Sequence, residues 1–352
     1  MKKIIFILIL MLFFYLIAWP VPIDPVKWSP PPAPNLIEEY TINNYLSSVE
    51  IIHSKISIGP EDVAVDEKGN IYGGFSDGKI IRFSSEGNIL DIFADTKGRP
   101  LGLDFDKSGN LIIADAKKGL LSINENGIIN ILANKINNRP LNFTDDVDVS
   151  PEGMIYFTDA STKFNIHNYR ADFFEHRPYG RLIKYDPFTK ELQLLLDSLY
   201  FANGVAVNND GSFLLFSETY DFSISKYWLK GPNSGKREKI FVNVPGFPDG
   251  ISSGSNGIFW IGIFSPRNLL ADAIASKPFI RKIVYRLPLF LQPTPARHGF
   301  ILGIDSSGNV LYNLQDSSHN SFSPITSVEE VNNMLYLGSL SYPGLARISR
   351  PQ

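Results

Sequence analysis

From about residue 47 to residue 350 the chain returns again and again to one phrase. A short run alternating between apolar and polar residues leads into a turn rich in Asp, Asn and Gly, and a second short run follows. Alternation with a period of two places every second side chain on one face of a β-strand, and turn residues between two such runs mark a hairpin. Six copies can be laid side by side: EDVAVDEKGNIYGG from Glu61, LGLDFDKSGNLIIAD from Leu101, DDVDVSPEGMIYFTD from Asp145, NGVAVNNDGSFLLFSE from Asn203, DGISSGSNGIFWIG from Asp249 and SVEEVNNMLYLGSL from Ser327. Their starts lie about 40 to 50 residues apart, the length of a four-stranded blade, with two longer copies. The pattern predicts an all-β, six-bladed β-propeller over residues 47–352. Further strand pairs between the copies, such as Lys79 to Phe83 with Ile89 to Phe93 and Arg181 to Tyr185 with Glu191 to Leu196, supply the outer strands. The last copy ends near Ala346 to Ser349, so its outermost strand is expected from the start of the body, around Val49 to Ser57, closing the ring. Two irregular insertions, Asn165 to Pro178 and Pro266 to Arg297, interrupt the repeat. They are suited to overhang one mouth of the ring, to dock on a membrane or, for the second, to form a local helix on the rim.

A different pattern precedes the body. Lys2 and Lys3 lead into an unbroken apolar stretch from Ile4 to Trp19. Its length lies between a signal-peptide core, about 7 to 15 residues, and a full membrane span of about 20. The reading favoured for residues 1–19 is an uncleaved transmembrane signal anchor with its N-terminus in the cytoplasm and the propeller outside it, and cleaved secretion is the alternative. Residues 20–46, beginning PVPIDPVKWSPPPAP, read as a Pro-rich extended linker that holds the body away from the bilayer.

Composition narrows the chemistry. The 352 residues carry 33 Lys and Arg against 36 Asp and Glu with no basic run, so nothing points to nucleic acid. Zero cysteines exclude disulfides, thiolate nucleophiles and sulfur-ligated metals. Any metal must then be held by oxygen or imidazole. Aligning the copies places Glu61, Leu101, Asp145, Asn203 and Asp249 at one equivalent position, immediately before the innermost strand. In a propeller these positions converge on the central channel. Three carboxylates and an amide facing one another repel unless a cation lies between them, and an all-oxygen set suits Ca²⁺ better than Mg²⁺. Glu61, Asp145, Asn203 and Asp249 are therefore the expected metal ligands. Asp249 is the expected catalytic base or nucleophile. No GxSxG elbow occurs, and the five histidines lie outside the inner-strand phrases, His298 being the one closest to a channel-facing role.

The phrases GPEDVAVD, LGLDFDKSGNLIIADAKKGLL, IYFTDASTKF, RPYGRLIKYDP, FANGVAVNNDGSFLLFSET, PGFPDGI and SVEEVNNMLYLGSL resemble the strictosidine synthase-like family over residues 47 to 350, especially its membrane-anchored adipocyte plasma membrane-associated protein branch. The wider superfamily includes paraoxonases and gluconolactonases, six-bladed propellers with an axial catalytic calcium. The resemblance implies calcium ligands at Glu61, Asp145, Asn203 and Asp249, with Asp145 standing where the family usually has Asn. It also marks two departures: Asp115 stands at the strand where paraoxonases carry a histidine pair, and Thr326 holds the place of the synthase glutamate. A threonine does not take up a proton at neutral pH, so strictosidine synthesis is not expected. Two functions remain open at this point. One is a calcium-dependent hydrolase of lactones or aryl esters; the other is a non-catalytic propeller whose channel, with structural calcium, binds a small ligand or partner.

Overall fold

The computed structural model describes residues 1–351, and it contains six four-stranded antiparallel sheets. Blades 1 to 5 are consecutive in the chain, and each runs from an inner strand outward: Val63–Val65, Pro100–Phe105, Thr144–Val149, Ala202–Val207 and Gly246–Ser253 are the inner strands. Blade 6 is composite. Its three inner strands come from residues Val328–Val331, Met334–Leu337 and Gly344–Ser349, and its outermost strand is Glu50–His53, with Glu50 opposite Arg347 and His53 opposite Gly344. Arg347 also pairs with the Glu50 carboxylate at 2.8 Å, so the expected closure across the two ends of the body is made by backbone and side chain together.

The period-two alternation has a direct outcome in packing. Alternate side chains of each sheet meet those of the next blade, and one apolar cluster fills each of the six blade–blade interfaces. Between blades 4 and 5, for instance, Phe213, Leu215 and Ile224 pack on Phe259, Ile261 and Phe300. Each sheet has two edges, one at the outer rim of the ring and one at the channel, where the inner strands present N–H groups not used within their own sheet.

Those N–H groups are taken up by carboxylates from the neighbouring blade. Asp62 accepts from Leu103 N at 2.8 Å, Asp104 from Val149 N at 2.8 Å, Asp146 from Val205 N at 2.8 Å and Asp148 from Val207 N at 2.6 Å. The approach is close enough that a Cβ at Gly102 would lie 2.6 Å from Asp146 Oδ1. Together with Glu329 of blade 6 these carboxylates line a channel cavity of ≈ 220 Å³. Desolvation inside the channel pushes Asp62 and Asp148 up to about 6, and holds Asp104, Asp146 and Glu329 well above the usual carboxylate range. These channel carboxylates bind more protons in the folded chain than in the unfolded one above about pH 4, so their contribution to stability falls as pH rises toward neutrality, against the smaller opposite contribution of groups such as His176. In the presence of a chelator the thermal midpoint is expected to be higher near pH 5 than near pH 8; a midpoint that climbs toward pH 8 would contradict this reading of the channel.

Helix α1 (Lys2–Ala18) has 17 residues, all at least partly exposed. At 1.5 Å per residue it rises about 26 Å, short of the ~30 Å hydrocarbon core. No helix among the described residues is long and apolar enough to cross a membrane.

The segment after α1, expected to be a spacer, instead lies against the propeller. Ile23 is buried with Phe164, Ala171 and Phe174, and Tyr40 joins the core between blades 4 and 5. Val26 N donates to Glu175 O at 3.2 Å, Asn243 donates to Pro32 O at 2.9 Å, and Trp28 stacks on His176 with ring centroids 3.7 Å apart. The carbonyls of the proline run and the apolar residues between the prolines find partners that no local pattern announces. His176 is consequently an interior residue, stacked also on Tyr200 and held neutral by burial, which depresses it to about 3. Trp28→Ala is expected to lower stability by about 2 to 3 kcal/mol, read as a lower urea midpoint with an unchanged slope.

Candidate functional site

The four expected donors do converge. Glu61, Asp145, Asn203 and Asp249 all line one cavity of ≈ 150 Å³ at the end of the channel where the inner strands begin. They do not all stand just before an inner strand as expected: Glu61 precedes Val63–Val65 by two residues, Asp145 and Asn203 are the second residues of Thr144–Val149 and Ala202–Val207, and Asp249 is the fourth of Gly246–Ser253, yet all four lie in the cavity-side part of the repeat. Leu101 occupies the equivalent place in blade 2 and, lacking an oxygen, contributes no donor.

The positions of these side chains are held by hydroxyls of the preceding blade. Thr158 donates to Asn203 O at 2.6 Å, Ser217 to Asp249 O at 2.7 Å, and Thr326 to Glu61 O at 2.6 Å. Thr158 and Ser217 each stand one place before an acidic residue that ends the second strand. That acidic residue has its own repeated task. Asp159 accepts from Phe143 N, Glu218 from Tyr200 N and Asp115 from Arg99 N, at 2.8, 3.0 and 2.9 Å, so each clamps the loop entering the next ligand position of its own blade. Asp115 also accepts from Thr96 Oγ1 at 2.7 Å and from the N–H groups of Lys117 and Lys118. It is a fully used turn clamp and takes no part in the cavity.

Electrostatically the site is unbalanced. Glu61 Oε2 and Asp145 Oδ2 are buried without a hydrogen-bond partner. Desolvation, aided by the neighbouring carboxylates, pushes Glu61 up to about 7 and raises Asp145 and Asp249 well above the usual range. Asn203 donates its amide hydrogen to Asp249. One cation stands beside the set: the buried Arg99 guanidinium lies 3.8 Å from Glu61 and also bears on Asp145. Arg99 escaped the sequence reading because it stands two residues before Leu101, in the one copy with no donor, yet that vacancy is the signal that could have found it. It also corrects the charge count. Three carboxylates and one guanidinium leave an excess of two negative charges, which a divalent cation would balance.

Among the described residues, no group of three or more His, Cys, Asp or Glu, these three carboxylates included, is placed so as to hold a metal ion. The convergent set fits a cation in other respects: its donors are all oxygens, one is an amide outside that count, and two carboxylate oxygens are buried and unpartnered. His298 stays away from the cavity. It is buried in blade 5, and its Nε2 lies 2.8 Å from Gln315 Oε1.

Above the donors the walls are apolar and aromatic. Phe143, Phe201, Tyr220 and Phe247 come from the blade loops; Ile166, Tyr169 and Phe173 come from the first insertion, where α2 (Tyr169–Glu175) follows a 3₁₀ turn; and Asn268, Ala271 and Pro293 to Pro295 come from the second. The second insertion forms α3 (Leu269–Ala275), α4 (Pro278–Arg286) and a 3₁₀ turn at Leu289–Leu291. Both insertions thus sit over one mouth of the ring. The arrangement is a small apolar pocket with a polar, anionic floor.

Comparison with known proteins places this architecture. The profile described as Strictosidine synthase matches residues 145–232, and the one described as Strictosidine synthase-like, N-terminal, matches residues 39–83. Protein STRICTOSIDINE SYNTHASE-LIKE 10 of Arabidopsis thaliana is 36% identical over 328 residues, covering 85% of this chain and 87% of its own length. The chain belongs to the strictosidine synthase-like family. Another relative in the family, adipocyte plasma membrane-associated protein of Rattus norvegicus, is 30% identical over 93% of each chain. A solved gluconolactonase from Xanthomonas campestris has the same fold, with a TM-score of 0.63 at 16% identity over 87% of this chain and 91% of that one. In this strictosidine synthase-like chain the Thr326 hydroxyl is committed to Glu61 O.

Proposed function

We propose that the protein is a calcium-dependent hydrolase of lactones or aryl esters. The observation that carries this reading is the floor of the cavity: four oxygen donors line it beneath an apolar pocket, and two of their carboxylate oxygens are buried without a hydrogen-bond partner. Glu61, Asp145, Asn203 and Asp249 would hold the ion. Calcium, when bound, supplies positive charge that polarises a carbonyl oxygen and stabilises the oxyanion. Asp249, on the cavity floor, receives a proton from water or attacks the carbonyl carbon directly. The aromatic walls exclude bulk water and accept the apolar part of the ester, while Arg99 offsets part of the negative charge on the floor. The shared fold with a gluconolactonase supports a lactonase-like role. Thr326 and Asp115 argue against amine–aldehyde condensation and against a paraoxonase-type histidine pair.

The test is hydrolysis of a panel of lactones and phenyl acetate by the full chain, with and without chelator. Chelator-sensitive turnover is expected. An ion-dependent melting shift with no turnover across the panel would favour instead a binding propeller with structural calcium. We further propose that α1 attaches the protein to a membrane, with its lysine-bearing end cytoplasmic and the propeller outside. The apolar run of α1 and the similarity to a plasma membrane-associated relative support this.

A further inference from the structure

We propose that the propeller face carrying α3, α4 and the Leu289–Leu291 turn lies on a lipid bilayer, so that the cavity mouth opens onto the membrane and its ester or lactone arrives from the lipid phase. The choice of substrate rests on the hydrolase reading above; the docking does not. Leu269, Leu270, Phe279, Leu289, Phe290 and Leu291 are all exposed, Phe290 by 80% and Leu269 by 78%. All six belong to the single insertion between two strands of blade 5, and none is needed for packing, which the opposite side of α3 accomplishes with Ala271, Ile274 and Ala275. Apolar surface collected in one insertion marks a contact site.

Three observations make the partner lipid. First, the patch is continuous with α1. Arg286 at the end of α4 donates to Trp19 O at 2.8 Å and to Leu16 O at 2.9 Å, and Tyr15 Oη donates back to Arg286 O at 3.2 Å. Second, α1 is apolar and exposed on every side. A second protein would cover one side of such a helix, whereas lipid covers all of them, and whatever surrounds α1 also meets the insertion at its foot. Third, the stretch from residue 277 to 297 has no acidic residue and exposes Lys277 and Arg297, while Arg281, Lys282 and Arg286 are taken up by Val26 O, Asp24 and the carbonyls of α1, so the charge free at this face is positive and suits anionic headgroups. The opposite end of the ring is built from polar turns such as Asp66 to Gly69, Asp106 to Gly109 and Asp305 to Gly308. The same insertion supplies Asn268, Ala271 and Pro293 to Pro295 to the cavity wall, so the mouth lies at the apolar face.

The chain contains no cysteine, so a single introduced thiol reports its own surroundings. Phe290→Cys and, as control, Phe188→Cys in an exposed turn of blade 3 at the other end of the ring are labelled with nitrobenzoxadiazole in the full chain. Both are reconstituted into vesicles of phosphatidylcholine and phosphatidylglycerol containing a nitroxide-labelled phosphatidylcholine. Emission from position 290 is expected to fall about twofold or more while that from position 188 is unchanged. Equal quenching at the two positions, or none at 290, overturns the docking. In a second measurement, Leu289→Asp with Phe290→Asp is expected to lower hydrolysis of a long-chain phenyl ester held in the vesicles by about tenfold and to leave water-soluble phenyl acetate turnover unchanged. Equal long-chain turnover by the two proteins overturns delivery from lipid. Hydrolysis of neither ester by the unaltered chain overturns the hydrolase reading, and the quenching result then decides the docking by itself.

Discussion

Asp249→Asn is expected to reduce chelator-sensitive ester hydrolysis by about 10² to 10⁴-fold while leaving the fold intact. The asparagine keeps the size of the side chain and one oxygen donor, and Ser217 still holds the backbone carbonyl of residue 249 at 2.7 Å. What is lost is a group able to accept a proton or form an acyl bond. The site makes the comparison sharp, because Asp249 is buried among Glu61 and Asn203 and its carboxyl is raised well above the usual range. It is an effective base only when a cation offsets its neighbours, so the same chemistry accounts for sensitivity to chelator. The measurement is kcat and KM for the most active substrate of the panel, alongside calcium affinity for both proteins. Full turnover by Asp249→Asn would remove Asp249 from the reaction; lost turnover accompanied by lost calcium binding would restrict its role to holding the ion.

The second large effect is on stability. With calcium at a thousandfold excess over its dissociation constant, binding to the folded state alone adds about 4 kcal/mol, on the order of several degrees in thermal midpoint. The direction follows from an unbalanced set of carboxylates: Glu61 Oε2 and Asp145 Oδ2 are buried without a hydrogen bond, and Arg99, 3.8 Å from Glu61 Oε2, offsets only part of the excess. Differential scanning calorimetry of the full chain across a calcium titration reads it. Magnesium is expected to give a smaller shift, because it demands a stricter octahedral set. A midpoint insensitive to both ions would exclude an axial metal.

The propeller was legible because its signals are local. An alternating run and an Asp–Asn–Gly turn specify a hairpin from adjacent residues, and repetition of the same phrase makes each copy a check on the others. The closing strand, expected around Val49 to Ser57, was legible for the related reason that the last copy lacked one and the start of the body was unassigned. The docking of residues 20–46 was not legible. A proline run reads as extended in isolation, and the partners of Ile23 and Trp28 stand roughly 150 residues away. The burial of His176 was not legible either, since the tryptophan that covers it comes from residue 28.

The sequence by itself determined the six blades, the equivalent positions of Glu61, Asp145, Asn203 and Asp249 in the repeat, and the absence of any thiol. All of these follow from residue type and spacing along one repeat. The tertiary structure alone decided that Arg99 faces Glu61 and Asp145, that Thr158, Ser217 and Thr326 hold the carbonyls of the three donors that follow them around the ring, and that α1 meets α4 beside the cavity mouth. The physical reason is the ring itself. It brings residue 326 beside residue 61 by joining its two ends, and a contact that exists only after closure leaves no period or turn signal in the chain.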